Sequence, residues 1–295
     1  MDFQINHITE YLYEGPSAEA CIEARLTPPV LAQQSILEHT ILIDPVVSTS
    51  SFRDYFDNRV EFFSLPYRHR TLRIENKLRV HTSTPELPED SLQTSVQEAR
   101  QIFSSVLPEV FDYLQPTNNV PLGRDATLWA RRYLRGDKSL KESLTTLNSE
   151  IFKQFVYRSG STTNSTPLLT VWKLKRGVCQ DFAHIMLSIL RTAGLPSRYV
   201  CGYLDPNPSL TVEGRSSRLT GSIATHAWVE VLVPGMRWVA LDPTNDMWCG
   251  ERHVTGSYGR DSRDAAPLRG TFKGSARQRM KVKVLMKRLI EKKTA

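Results

Sequence analysis

The sequence predicts an α+β protein in which an N-terminal β-sandwich precedes a domain with a helix packed on an antiparallel sheet. Three observations support this prediction. Residues 1–85 alternate between apolar and polar side chains with the period of two that half-buried strands show. Residues 83–92 are rich in proline and acidic side chains, which is typical of a joint between domains. After this joint the spacing of apolar residues becomes helical, and alternation returns only after Gly194.

The N-terminal segment contains several short strand signals separated by turn residues. Phe3, Ile5 and His7 alternate with polar neighbours, and prolines and asparagines interrupt the pattern at short intervals. Short strands at this spacing are typical of an all-β sandwich. Further strands are predicted at residues 36–43, 60–65 and 72–80.

The remaining chain is expected to form a second domain over residues 86–295, with a helical lead-in and a C-terminal strand. The first domain then spans residues 1–85. In the second domain a helix beginning at Cys179 is expected to stop at Gly194, which precedes Leu195 and Pro196. Helices are predicted at 91–103, 126–134 and 139–152, and strands at 198–204, 224–233 and 237–242.

Composition narrows the class of protein. The chain has 295 residues, a formal net charge of +7 and only four cysteines, too few for a disulfide scaffold. No CxxC or HExxH spacing indicates a metal site, and we expect no cofactor. The basic run from Arg277 to Lys293 has no nucleic-acid-binding motif beside it, so we interpret it as a solvated edge strand.

The sequence also gives an expectation for localisation. The N-terminus lacks the basic patch and apolar run of a secretory signal. No stretch reaches the roughly 18 apolar residues that cross a bilayer. We expect a soluble cytoplasmic protein with free thiols and no membrane partner, and the sequence carries no signal for an oligomeric state.

Cys179 is the first candidate for chemistry. Gly177 ends a loop and Cys179 opens a helix, so its thiol faces the positive end of the helix dipole and unpaired backbone N–H groups. Both favour the thiolate, which is the nucleophilic form. A buried cysteine that packs as a small hydrophobe is the alternative, and by position alone it is the more common one.

His226 and Asp242 form the second candidate feature. His226 lies on a strand whose odd-numbered residues are apolar, and Asp242 ends the returning strand after a turn at Pro234-Gly235. Both side chains are predicted on the same face, and pairing about residue 234 makes them directly opposite neighbours. A carboxylate at that distance can orient an imidazole. A histidine held by a local carboxylate for structural reasons would use the same geometry.

The three residues lie in blocks that resemble a known family. Residues 177–204 (GVCQDFAHIMLSILRTAGLPSRYVCGYL), then THAWVEV from Thr225 and WVALDPTND from Trp238, resemble the bacterial transglutaminase-like superfamily of cysteine proteases. N-terminal blocks such as Leu26-Thr27-Pro28-Pro29 resemble the β-domain attached to bacterial members. The resemblance implies a papain-like transglutaminase core with a catalytic triad of Cys179, His226 and Asp242.

The resemblance implies thiol-dependent acyl transfer on peptide or protein amides through a thioester. Hydrolysis, as in a cysteine protease or amidase, is the leading expectation. Transglutaminase cross-linking to amines and a non-catalytic binding module on the same fold are the alternatives. We interpret Cys201 and Cys249 as packing residues. Gln180 and Asp181 are left as either substrate contacts or helix caps, and Trp228 and Trp238 as either pocket walls or core aromatics.

Overall fold

The computed structural model describes residues 1–206, 219–220, 225–274 and 277–289. It is an α+β structure, as predicted, with antiparallel sheets at the N-terminus and a helix-on-sheet core. The first six strands occupy the predicted N-terminal segment. They are β1 (Asp2–Ser17), β2 (Glu19–Thr27), β3 (Gln34–Asp44), β4 (Thr49–Arg53), β5 (Arg59–Leu65) and β6 (His69–Thr82).

Helices follow β6, and strands return near the end of the chain. The elements are α1 (Glu89–Gln93), α2 (Val96–Ser105), α3 (Leu107–Val110), a 3₁₀ turn (Phe111–Tyr113), α4 (Arg124–Tyr133), α5 (Leu140–Gln154), β7 (Val156–Tyr157), α6 (Leu168–Leu174), β8 (Arg176–Gly177) and α7 (Cys179–Thr192). The later strands are β9 (Ser197–Leu204), β10 (His226–Val233), β11 (Arg237–Asp242), β12 (Met247–Trp248), β13 (His253–Gly259), β14 (Leu268–Lys273) and β15 (Gln278–Leu289).

The helix predicted at 91–103 is two helices, because Ser95 starts a new one. The Ser95 hydroxyl accepts a hydrogen bond from the Glu98 backbone N–H, and the Glu98 carboxylate accepts one from the Ser95 N–H. This capping box satisfies the free N–H groups at the start of α2 and ends α1 before it. The strand predicted to begin at residue 224 starts at His226, and residue 224 lies outside the described residues.

The sandwich is built from both ends of the chain. Its first sheet has the strand order β15-β1-β6-β3, and its second sheet has the order β14-β2-β5-β4. The expected C-terminal strand of the second domain therefore pairs with the N-terminal domain instead. The physical reason is that β1 would otherwise leave a long unpaired edge, which β15 covers from Asp2↔Leu289 to Tyr13↔Gln278. β15 is itself an edge strand with mostly exposed side chains, and Lys292 and Lys293 lie outside the described residues.

The core sheet has the antiparallel order β12-β11-β10-β9-β13, and α7 packs on β10 and β9. Every residue of α7 from Asp181 to Arg191 is buried. This helix ends as predicted, with Gly194 at a φ of 75° and its N–H donating to the Arg191 carbonyl. The burial of α7 holds its N-terminus, and therefore Cys179, at a fixed place on the sheet.

One face of the first sheet joins the sandwich to the core sheet. Phe3 and Ile5 of β1 are fully buried in a cluster with Tyr203 of β9 and Val254 of β13. Further along the same face, Tyr11 packs inside the sandwich. The two parts of the chain therefore share a continuous apolar contact rather than a flexible linker alone.

We predict that this contact contributes strongly to stability. Phe3→Ala should lower the free energy of unfolding by about 3–5 kcal/mol, because a fully buried aromatic ring is lost and a cavity remains. Urea denaturation followed by tryptophan fluorescence measures the change. Leu12→Ala on the same strand is the matched control, since Leu12 is 52% exposed, and should change stability by less than about 1 kcal/mol. Equal losses for the two variants would contradict the prediction.

Candidate active site

Cys179 is held at the start of α7 by a side chain two residues later. The Asp181 carboxylate accepts hydrogen bonds from the Val178 backbone N–H at 2.8 Å and from the Thr162 hydroxyl at 2.6 Å. Asp181 is therefore a helix cap, which decides one of the alternatives left open by the sequence. A side chain at Gly177 would lie 2.6 Å from the Asp181 carboxylate, so only glycine fits before the cap. Cys179 is a free, half-buried thiol.

His226 and Asp242 lie on the same side of the hairpin, as predicted, but they are not directly opposite each other. Val233 pairs with Arg237 and Val229 with Leu241, so the turn is centred on Gly235 rather than on Pro234. Its three residues need positive φ at Gly235 and Met236, which the sequence pattern did not indicate. Continuing this register places Asp242 opposite Trp228 and diagonal to His226. The Nε2 atom of His226 is nevertheless 2.8 Å from Asp242 Oδ2.

Burial and charge determine how this pair is protonated. Both side chains are fully buried. Burial lowers the pKa of His226, but the Asp242 charge and hydrogen bond, and also the Cys179 side chain, raise it, so that the pKa rises to about 10. Burial raises the pKa of Asp242, whereas His226 and His253 lower it, and the net shift is strongly downward. The pair is therefore an imidazolium and a carboxylate over the neutral pH range.

The Nδ1 atom of His226 is the ring nitrogen that Asp242 does not use. Nε2 is hydrogen-bonded to Asp242, whereas the buried Nδ1 atom has no hydrogen-bond partner among the residues that the structure describes. The Cys179 side chain is near enough to influence the pKa of this ring. The structure thus brings together all three residues predicted from the sequence, with Nδ1 as the atom that can carry a proton to and from the thiol side.

His253 is a functional candidate that the sequence reasoning missed. Its Nδ1 atom accepts a hydrogen bond from the Gly250 N–H at 3.3 Å, which leaves the proton on Nε2. That Nε2 atom is 3.3 Å from Asp242 Oδ2, so it donates to the same carboxylate oxygen as His226. Burial lowers the pKa of His253, which keeps it neutral beside the charged pair. The local pattern of β13 contains no signal for this contact, because β10 and β9 separate β13 from β11 in the core sheet.

Backbone and amide donors complete the surroundings of Asp242. The Thr244 backbone N–H donates to Oδ1 at 2.9 Å, and the Asn245 side-chain amide donates to Oδ2 at 2.7 Å. Both residues follow Asp242 in the run Asp-Pro-Thr-Asn, and this run is the sequence signal for donors close to the carboxylate. Hydrogen bonds to a carboxylate stabilise its charged form, which adds to the effect of the two histidines.

The ligand atoms of His226, Asp242 and His253 lie within 4.8 Å of one another, a spacing that a metal ion could use. However, both imidazole Nε2 atoms are already hydrogen-bonded to the same carboxylate oxygen. A zinc ion needs about 2.0–2.2 Å to each ligand, so it would have to displace these bonds. The arrangement fits a carboxylate that orients two imidazoles better, and the absence of a resident metal stays a prediction.

The other residues singled out in the sequence have mainly structural surroundings. Burial raises the pKa of the Cys201 thiol to about 12 and that of Cys249 well above its usual value. Trp228 is buried and contacts the rings of both His226 and His253. Trp238 packs on Tyr113 and Arg198. Trp228 therefore borders the candidate site, and Trp238 packs beside it.

We predict that His253 sets the acid limit of stability through Asp242. Because the folded-state pKa of Asp242 is lowered, its contribution is present above the unfolded pKa and is lost as the pH falls. His253→Ala removes one hydrogen-bond donor to Asp242, so the folded-state pKa of Asp242 is lowered less. The loss of stability on acidification then begins at a higher pH. At neutral pH the variant should lose about 1–3 kcal/mol of unfolding free energy.

Urea denaturation across roughly pH 3 to pH 7 measures both effects. His253→Gln, which keeps an N–H donor, should recover part of the acid stability. His69→Ala is the matched control, because His69 is also buried but bonds the Tyr67 carbonyl instead of Asp242. The same shift of the acid limit in both alanine variants would contradict the role of His253.

Comparison with known proteins agrees with this geometry. Residues 3–81 match the bacterial transglutaminase-like N-terminal region, and residues 127–243 match the transglutaminase-like superfamily. An uncharacterized protein of Mycobacterium tuberculosis is 35% identical over 281 residues, which cover 91% of this chain and 86% of that protein. One of Mycobacterium leprae is 32% identical over 293 residues, covering 97% of this chain and 98% of the relative.

Two further relatives differ in how much of the chain they share. The crystal structure of a cysteine protease candidate from Cytophaga hutchinsonii has a TM-score of 0.72, covering 99% of this chain and 92% of that chain. Its sequence identity is 18%, so this similarity shows a common fold and nothing further. A protein-glutamine gamma-glutamyltransferase of Pseudomonas aeruginosa is 36% identical over 72 residues, which are 24% of this chain and 10% of that protein. The chain belongs to the transglutaminase-like superfamily and carries the bacterial transglutaminase-like N-terminal region.

Proposed function

We propose that the protein is a thiol-dependent enzyme that transfers the acyl group of peptide or protein amides through Cys179, His226 and Asp242. The observation that carries the proposal is the buried His226–Asp242 pair at 2.8 Å, whose free Nδ1 atom is left for the thiol at the start of α7. A structural ion pair would not need a half-buried thiol at a helix N-terminus beside it. We assign Cys179 as the nucleophile, His226 as the base and Asp242 as the group that orients it.

The geometry supports a two-step mechanism. The Cys179 thiolate attacks the amide carbonyl, and imidazolium Nδ1–H of His226 gives its proton to the leaving amine as the C–N bond breaks. A thioester remains on Cys179. His226 then accepts a proton from the second nucleophile, whose attack breaks the thioester and restores the thiolate and the imidazolium. Asp242 holds the ring and stabilises its charge throughout.

Water is the proposed second nucleophile, which makes the protein a cysteine protease or amidase. The alternative is an amine, which would make it a transglutaminase. The partial similarity to a protein-glutamine gamma-glutamyltransferase favours this alternative, although the shared stretch is only 72 residues. Both reactions use the same first step, so the two differ in whether water reaches the thioester.

We also propose that the protein works in a reducing compartment, the cytoplasm. Its four cysteines are free, and the thiolate reacts only in its reduced form. None of the described helices is long and apolar enough to cross a membrane. Fractionation of cells that produce the tagged chain tests the proposal, and recovery from an oxidising compartment would contradict it.

We predict selective alkylation of Cys179. At neutral pH iodoacetamide should modify Cys179 at least about tenfold faster than the buried Cys201, because the thiolate is the reactive form and the pKa of Cys201 is raised to about 12. His226→Ala should slow alkylation of Cys179 by about tenfold or more, since the imidazolium that stabilises the thiolate is lost. Peptide mass mapping of each thiol over time measures the rates.

Cys201→Ala is the control variant and should leave the Cys179 rate unchanged. Equal alkylation of the two thiols, with no effect of His226→Ala, would leave a non-catalytic binding module on the same fold. Circular dichroism of each variant excludes misfolding as the cause of a changed rate.

We predict ammonia release from a glutamine-containing peptide by the wild type but not by Cys179→Ala. The assay is run with and without a primary amine, and mass spectrometry follows incorporation of that amine. Glutamate product with no incorporated amine fits hydrolysis. Incorporation that suppresses glutamate formation would replace hydrolysis with cross-linking as the reaction.

A further inference from the structure

A cavity of about 220 Å³ lies between the sandwich and the core, next to the candidate active site. Thr9 of β1 and Val282 of β15 are paired across the first sheet and share the face that forms one wall. Gln180 and Thr225 belong to the opposite wall. The sandwich, including the C-terminal strand, therefore closes a space that the core alone would leave open.

The residues that line the cavity are close to Cys179 both in sequence and in space. Gln180 directly follows Cys179, and Thr225 directly precedes His226. Tyr199 and Cys201 of β9 also line the cavity. After burial, which is the main cause, the proximity of Cys179 also raises the pKa of both groups. A substrate bound at Cys179 would thus have part of its chain beside this cavity.

The lining carries hydrogen-bonding groups but no formal charge. Among the described residues around the cavity there is no aspartate, glutamate, lysine or arginine. His7, at its inner end, is buried with its Nδ1 atom 3.0 Å from the Tyr203 hydroxyl, and burial lowers its pKa to about 4, so it is neutral. The side-chain amides of Asn164 and Gln180 have no hydrogen-bond partner within the described part of the chain.

Such a lining discriminates between side chains by the cost of burying charge. A carboxylate or ammonium group transferred from water into a site without a counter-charge loses its hydration without replacement. A neutral amide or hydroxyl group can instead bond to the side-chain amides of Asn164 and Gln180. The cavity is smaller than the roughly 300–1,000 Å³ pockets of drug-sized ligands, so its volume suits a single amino-acid side chain.

We propose that this cavity is the subsite for an uncharged, hydrogen-bonding side chain of the acyl-donor peptide, and that the sandwich thereby determines substrate specificity. This inference rests on the proposed acyl-transfer function. The enzyme selects donor peptides with a side chain such as glutamine, asparagine or serine next to the reacting carbonyl, and it rejects acidic and basic ones in spite of the net charge of +7.

A series of peptidyl chloromethyl ketones tests the subsite without a known substrate. The probes are identical except for the side chain beside the reactive group, which is glutamine, glutamate or lysine. The second-order rate of Cys179 modification is divided by the iodoacetamide rate of the same protein sample. The glutamine probe should react at least about tenfold faster than either charged probe, because a charged side chain loses its hydration in the cavity without replacement.

Met280 lies at the mouth of the cavity and is 54% exposed, so a charged side chain can be introduced there without being buried. Met280→Glu should raise the normalised rate of the lysine probe and lower that of the glutamate probe, and Met280→Lys should do the reverse. Leu285→Glu is the matched control, because Leu285 is an exposed residue on the other face of the same strand. It should leave the order of the three probes unchanged.

The outcomes separate this inference from the function on which it rests. If iodoacetamide does not select Cys179, the proposed acyl-transfer function fails. If it does, but the three probes react equally or respond identically to Met280→Glu and Leu285→Glu, the subsite is wrong while the triad stands. Preference for a charged probe by the wild type would also overturn the subsite.

Discussion

A carboxylate that is removed completely from water must have its charge and its lone pairs satisfied by the protein, and Asp242 imposes this constraint on the structure around it. Two imidazoles, one side-chain amide and one backbone N–H meet this need. They come from β10, from β13 and from the segment directly after β11. The arrangement of the core sheet and the orientation of the His226 imidazole therefore both follow from the burial of this carboxylate.

The same constraint explains the electrostatics of the site. A buried imidazole alone would lose its proton, since burial lowers its pKa, but the carboxylate reverses this effect for His226. His253 lies beside the same carboxylate and stays neutral, because burial lowers its pKa and the positive charge of His226 lowers it further. One carboxylate thus holds two histidines in different protonation states, with His226 charged and His253 neutral.

The sandwich has a larger role than a separate N-terminal module would have. Its first sheet uses a single face for three purposes along β1: contact with the core sheet at Phe3, the wall of the cavity near Thr9, and the sandwich interior at Tyr11. β15 completes this face from the other end of the chain. Because these contacts are continuous, the position of the cavity relative to Cys179 is fixed by packing and does not depend on a linker.

The sequence by itself determined the features that depend on local periodicity and caps. Alternation in β10 and β11 placed His226 and Asp242 on one face, and the glycine before Cys179 and the Gly194 stop bounded α7 correctly. The exact register did not follow, because it depends on which residues of the turn adopt positive φ, and Gly235 with Met236 shifted it by two residues. A shift of two residues leaves each side chain on the same face, so the shared face of His226 and Asp242 was predictable even though their pairing was not.

Only the tertiary structure decided the contacts that join distant strands. His253 reaches Asp242 from β13, which β9 and β10 separate from β11 in the core sheet, and β15 joins β1 because the edge of a sheet needs a partner. Neither contact changes the alternation of apolar and polar residues along its strand. A side chain that faces a buried site and one that faces an ordinary core occupy the same positions in that alternation. The sequence therefore identified the candidate residues Cys179, His226 and Asp242, whereas the fold decided which other groups position them.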